Sequence, residues 1–120
     1  MGWLNRMKKQ KAAAVPDGEQ AVIIKYSLSG DEFGSAEERE AVWALENRLE
    51  ALIEEHGAGE CDGDEFGAGK AVLYCYGPDA NRLFATIEHE VPSFAARPAY
   101  VTLRYGAASD PNAQQRRIDL

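Results

Sequence analysis

Cysteine and histidine are scarce and long apolar runs are absent, and each shortage removes a class of protein. Cys61 and Cys75 are the only cysteines among 120 residues, too few for the disulfide framework on which small secreted domains depend. No apolar stretch approaches the ~20 residues of a membrane-spanning helix, and the first residues show no signal-peptide pattern. The expected compartment is therefore the reducing cytoplasm. The two histidines, His56 and His89, have no cysteine, serine or second histidine at catalytic spacing and read as solvated surface residues. His-x-Glu, Cys-x-x-Cys and Gly-x-Ser-x-Gly patterns are missing. Gly67-Ala68-Gly69-Lys70 is too short for a phosphate loop and links two strands instead of opening a helix.

Positive charge is also short where it would matter. Of thirteen basic side chains, Arg6, Lys8, Lys9 and Lys11 fall in the first sixteen residues, which hold no acid, leaving nine against twenty acids and a net charge of −11 for the rest. Such a domain repels phosphate backbones, because non-specific nucleic-acid affinity comes from counterions released by Lys and Arg. Residues 1–18 read as a basic flexible tail ending at Pro16-Asp17-Gly18, and residues 19–120 as a single α+β domain. Trp3, Leu4 and Met7 share a helical face but are too few to anchor the tail on a membrane, and Arg6 stands where a myristoylation signal needs Ser or Thr.

What remains is a clear alternation of strand and helix patterns. Val22, Ile24, Tyr26 and Leu28 alternate as a half-buried strand. Ser35 and Glu38 form a capping box before a helix over residues 36–56, whose stripe is Val42, Leu45, Leu49, Leu52 and Ile53 and whose stop is Gly57. Trp43 lies off that stripe, on an edge or exposed. Residues 59–76 read as a hairpin turning near Ala68, with Cys61 facing Cys75, Gly63 facing Leu73, and Asp62 and Asp64 facing Tyr74 and Val72. A second helix begins at Gly77-Pro78-Asp79, with Pro78 near its first position, and carries Leu83, Phe84, Ile87 and Val91 inward until Pro92. Residues 98–105 make the last clear strand, with Val101, Leu103 and Tyr105 inward, and residues 115–120 add a short edge strand. The order β-α-β-β-α-β folds most economically as a ferredoxin-like sandwich, an antiparallel sheet of order 4-1-3-2 with both helices on one face.

Three stretches carry a resemblance: Gly59-Glu60-x-Asp62-Gly63-x-Glu65-x-Gly67-x-Gly69, Leu73-Tyr74-x-Tyr76-Gly77-Pro78-Asp79-Ala80-x-x-Leu83-Phe84, and Val101-Thr102-Leu103-Arg104-Tyr105-Gly106. Together they resemble a family of small uncharacterised bacterial proteins with a predicted ferredoxin-like or ACT-like fold. The resemblance spans residues 20–106 and implies no catalytic residue.

Function then rests on surfaces. The open sheet face is expected to hold Ile23, Lys25, Val72, Tyr74, Tyr76, Tyr100, Thr102 and Arg104, a composition closer to a protein interface than to plain solvent. The partner-binding candidates are Tyr74, Tyr76, Tyr100, Arg104 and Trp43, and the expected partner is a protein or a second copy of the chain. The leading reading is a non-enzymatic binding or self-associating module, one version being an immunity or inhibitor protein whose negative charge steers it to a basic target. The alternatives are an ACT-like small-molecule sensor and an enzyme of unrecognised class. The pentapeptide Gly-Asp-Glu-Phe-Gly occurs at residues 30–34 and again at 63–67. No cofactor is expected; the physical hypothesis beside that, if both copies meet at one end of the sheet and crowd Asp31, Glu32, Asp64 and Glu65 together, is weak calcium or magnesium binding. In the other reading these are soluble turns with Phe33 and Phe66 tucked beneath them as plugs. Cys61 and Cys75 are either a redox pair or two small core side chains.

Overall fold

The computed structural model describes residues 19–120; the reading of residues 1–18 as a flexible tail lies outside the described residues. Among the described residues, five strands and two helices follow in the order β1 (Gln20–Ser27), α1 (Ala36–His56), β2 (Glu60–Gly67), β3 (Lys70–Gly77), α2 (Ala80–Ile87), β4 (Ala99–Arg104) and β5 (Gln115–Asp119), with a 3-10 turn at Val91–Ser93. The strands form one antiparallel sheet of order β2-β3-β1-β4-β5. The fifth strand, paired to β4, is what sets this mixed α+β sheet apart from the four-stranded ideal. Among the described residues no helix is long and apolar enough to cross a membrane.

Local chemistry explains the element ends. The Ser35 hydroxyl accepts from the Glu38 N–H at 3.0 Å while the Glu38 carboxylate accepts from the Ser35 N–H at 2.8 Å, closing the capping box of α1. Gly57 ends α1 in the left-handed conformation, φ 59°, with its N–H directed to the Glu54 and Ile53 carbonyls. α2 begins one step later than its proline suggests: Asp79 is the N-cap, its side chain accepting from the Arg82 N–H at 3.1 Å, and Pro78 precedes the cap. The helix also stops at Ile87, so Val91 enters the core from the 3-10 turn.

The core lies between one sheet face and both helices. Val22, Ile24 and Tyr26 of β1, Leu73 and Cys75 of β3, and Val101 and Leu103 of β4 meet Val42, Leu45, Leu49 and Ile53 of α1 and Leu83 and Ile87 of α2. The Tyr26 hydroxyl, fully buried, donates to the Val91 carbonyl at 2.7 Å, and its ring stands edge-on to Phe94 at 5.0 Å. Tyr105 falls beyond the end of β4, where its hydroxyl donates to the Asn81 side chain at 2.7 Å.

The β2–β3 register corrects the sequence reading in one place. Ala68 and Gly69 form a two-residue turn with φ of 50° and 74°, the geometry whose twist suits a hairpin. Such a turn pairs Gly67 with Lys70, and the count runs on through Asp64 opposite Leu73 and Gly63 opposite Tyr74. Cys61 nevertheless faces Cys75, because the extra residue, Asp62, is taken up in a bulge. Beyond the bulge Asp64 shares the core-side parity of Leu73, and Glu65, opposite Val72, takes the open face.

Candidate functional site

The open face is built by alternation on four consecutive strands and completed by β5. Tyr74 and Tyr76 on β3, Ile23 and Lys25 on β1, and Tyr100, Thr102 and Arg104 on β4 are half-buried, while both described helices pack on the opposite side. Arg117 of β5, opposite Thr102, lays its guanidinium 3.7 Å from the centre of the Tyr100 ring, and the Lys25 ammonium lies 5.6 Å from the same ring. On the other flank the Tyr74 hydroxyl donates to Glu65 Oε1 at 2.7 Å. Burial and that bond to a carboxylate push the Tyr74 phenol up to about 12. Tyr76 is raised too, by burial and then by the nearby Asp62 charge. The face is thus uneven in charge, with Glu65 on the β2 side and Lys25, Arg104 and Arg117 toward β4 and β5, where Asp119, opposite Tyr100, is paired to Arg117 at 2.9 Å.

Four of the five partner-binding candidates, Tyr74, Tyr76, Tyr100 and Arg104, lie together on this face. Trp43 does not: it sits on α1, on the far side of the sheet, with its ring edge-on to Phe66 of β2 at 5.8 Å. Sequence reasoning missed Arg117 and Glu65 as members of the face. Arg117 was legible only once β5 had a register, and Glu65 only once the bulge was known.

The four carboxylates Asp31, Glu32, Asp64 and Glu65 are not gathered into one donor set. The 30–34 loop does meet the hairpin tip, with the Gly69 N–H donating to the Glu32 carbonyl at 2.8 Å and the Leu28 N–H to the Gly69 carbonyl at 2.8 Å. The second pentapeptide, however, is strand rather than loop, so Asp64 and Glu65 point to opposite faces, and Glu65 is engaged by Tyr74. Phe33 is 55% exposed and is no plug, whereas Phe66 packs against the core.

A different cluster forms under α1. Cys61 of β2 and Cys75 of β3 are buried free thiols whose sulfurs stand 3.3 Å apart. Glu46 and Glu50, one turn apart on α1, bring carboxylate oxygens to within 4.8 Å of the Cys61 sulfur and of each other. Glu46 is only 1% exposed. Among the described residues, this thiol and two carboxylates are the grouping close enough to share an ion. A thiolate in the set suits zinc better than calcium or magnesium, whose sites are built of oxygen. The Cys61 thiol is raised well above its ordinary range, first by its bond to Cys75, then by burial and the Glu46 and Glu50 charges. A cavity of about 270 Å3, lined by Glu50, Glu54, Gly59, Glu60 and Cys61, opens beside it.

Comparison of the chain with family models, with curated proteins and with solved structures finds no match. The class defined by the fold is a five-stranded antiparallel sheet backed by two helices, and function has to be argued from its surfaces.

Proposed function

We propose that this domain, read as a ferredoxin-like βαββαβ sandwich extended by β5, is a non-enzymatic module that self-associates face to face through its open sheet. The observation that carries the reading is the symmetry of that face about β1. In the order β2-β3-β1-β4-β5, a two-fold axis parallel to the strands and passing over β1 lays β2 of one copy on β5 of the other, and β3 on β4. Along the strands Tyr76 is in line with Arg104, Tyr74 with Thr102 and Val72 with Tyr100, so these pairs meet across the axis, while Glu65 comes to Asp119, which Arg117 holds at 2.9 Å. An isologous contact requires this self-complementarity, in which residue i meets j and j meets i. Tyrosine and arginine are also the side chains enriched at interface hot spots.

Charge exchange across the pair tests the arrangement. The wild-type chain is expected to sediment as a dimer, and Tyr74 and Tyr100 replaced together by Ser are expected to give a folded monomer. Tyr76→Arg should weaken the dimer by a like-charge contact with Arg104 of the second copy, and the double variant with Arg104→Tyr should recover it. A wild-type chain that stays monomeric at millimolar concentration overturns the proposal, as does a double variant no better than Tyr76→Arg alone. A monomer that binds a basic protein instead would favour the inhibitor reading.

A further inference from the structure

The cluster under α1 holds two thiols that the proposed self-association does not use. We propose that Cys61 and Cys75 are a dithiol oxidised to an internal disulfide by small cationic disulfides, with Cys61 as the attacking thiol and Cys75 as the resolving one. The geometry supports each part. Directly opposed residues of an antiparallel pair have Cα atoms roughly 4.5–5.5 Å apart, within the 4.4–6.8 Å that a disulfide spans. The two sulfurs, already 3.3 Å apart, have to approach by about 1.3 Å to reach bonding distance. The bulge at Asp62 is what preserves this pairing after the turn has shifted the register.

Access is unequal. Cys61 lines the cavity, whereas Cys75 is 0% exposed behind it. Glu50, Glu54 and Glu60 ring the cavity, so a cationic disulfide is attracted and an anionic one repelled. The step balances as two exchanges. The Cys61 thiolate attacks one sulfur of the small disulfide, forming a mixed disulfide and expelling one small thiolate. Cys75, deprotonated, then attacks the Cys61 sulfur and expels the second. The protein loses two hydrogens, the small disulfide gains two, and each departing thiolate takes up a proton. The groups facing Cys61 are Glu46 and Glu50 of α1 and the Cys75 thiol of β3, and all disfavour its thiolate.

The test uses the full chain, reduced and then exposed to cystamine or to oxidised glutathione. Intact mass should fall by two hydrogens, several-fold faster with cystamine, and trypsin should release peptides 49–70 and 71–82 joined by one disulfide. Cys75→Ser should stop at a single cysteamine adduct on Cys61, and Cys61→Ser should stay unmodified while folded. Adducts retained on both cysteines, disulfides between chains, or a Cys61→Ser variant as reactive as wild type would overturn the proposal. The tryptic crosslink in the wild-type chain decides the matter even if a serine variant fails to fold.

Discussion

Replacing Gly59 by alanine tests the close approach that sets β2 beside β3, and Gly57 supplies its control. Gly59 has φ +145°, a region almost reserved for glycine, and a Cβ there would fall inside the contact radius of the Tyr76 carbonyl oxygen and 2.9 Å from the Gly77 Cα. Both obstacles are backbone and cannot rotate away. The conformational strain costs about 1–3 kcal/mol and the overpacking about 1–3 kcal/mol more. Gly57 also has a positive φ, +59°, but a Cβ there meets nothing within 4 Å. Its replacement costs about 1–2 kcal/mol for the left-handed conformation, reduced by about 0.4–1 kcal/mol because alanine restricts the unfolded chain. Urea unfolding of both variants, with the slope held common, should therefore show Gly59→Ala losing several times as much as Gly57→Ala. Equal losses would refute the steric argument and leave only the dihedral one.

Two further perturbations probe other joints of the fold. Tyr26→Phe keeps the ring against Phe94 but leaves the buried Val91 carbonyl without its donor, and should cost about 1–3 kcal/mol in denaturant unfolding; a loss under ~0.5 kcal/mol, the scale of an unimportant surface change, would show that the carbonyl finds another partner. Glu38 is lowered from 4.5 to about 2, first by the Ser29 hydroxyl and then by the Ser35 and Ser29 backbone N–H groups. A carboxylate depressed in the folded state stabilises it fully above 4.5 and loses that contribution as pH falls toward 2. Ser29→Ala should flatten the acid limb of the stability profile between those values, and superimposable profiles would count against the assignment.

Much of the architecture was legible because local and global signals agree. The capping box at Ser35, the glycine stop at Gly57 and the stripe from Val42 to Ile53 fix α1 at both ends. Alternation at Val22, Ile24, Tyr26 and Leu28 identifies the buried face of β1, and all four are buried. The failures share a physical cause: a single residue shifts the phase of a pattern. In β2 a two-residue turn and a compensating bulge leave the Cys61–Cys75 pair intact while reversing the faces of Asp64 and Glu65, and no periodicity reports a bulge in advance. At α2, Asp79 outcompetes Pro78 for the start of the helix because its side chain can accept the Arg82 N–H. Glu46 was passed over because a buried carboxylate within an apolar stripe violates the pattern that locates the stripe. The tyrosine face was readable from parity alone, but its electrical asymmetry needed the register of β5.

The clasp between the 30–34 loop and the hairpin tip is made by main-chain atoms: Gly69 gives its N–H to the Glu32 carbonyl and takes the Leu28 N–H. The glycines are bound to their identity: a Cβ on Gly69 would stand 2.9 Å from the Gly30 carbonyl oxygen, one on Gly34 would stand 2.8 Å from the Glu38 carboxylate, and Gly30 holds a positive φ of 74°. The side chains of Asp31, Glu32 and Phe33 are exposed and take no part in the clasp. Descendants of this chain are free to rewrite those three positions, changing the charge and stickiness of that corner, while the join itself is inherited unchanged. Variation in the loop would thus be a record of what the corner meets rather than of how the domain folds.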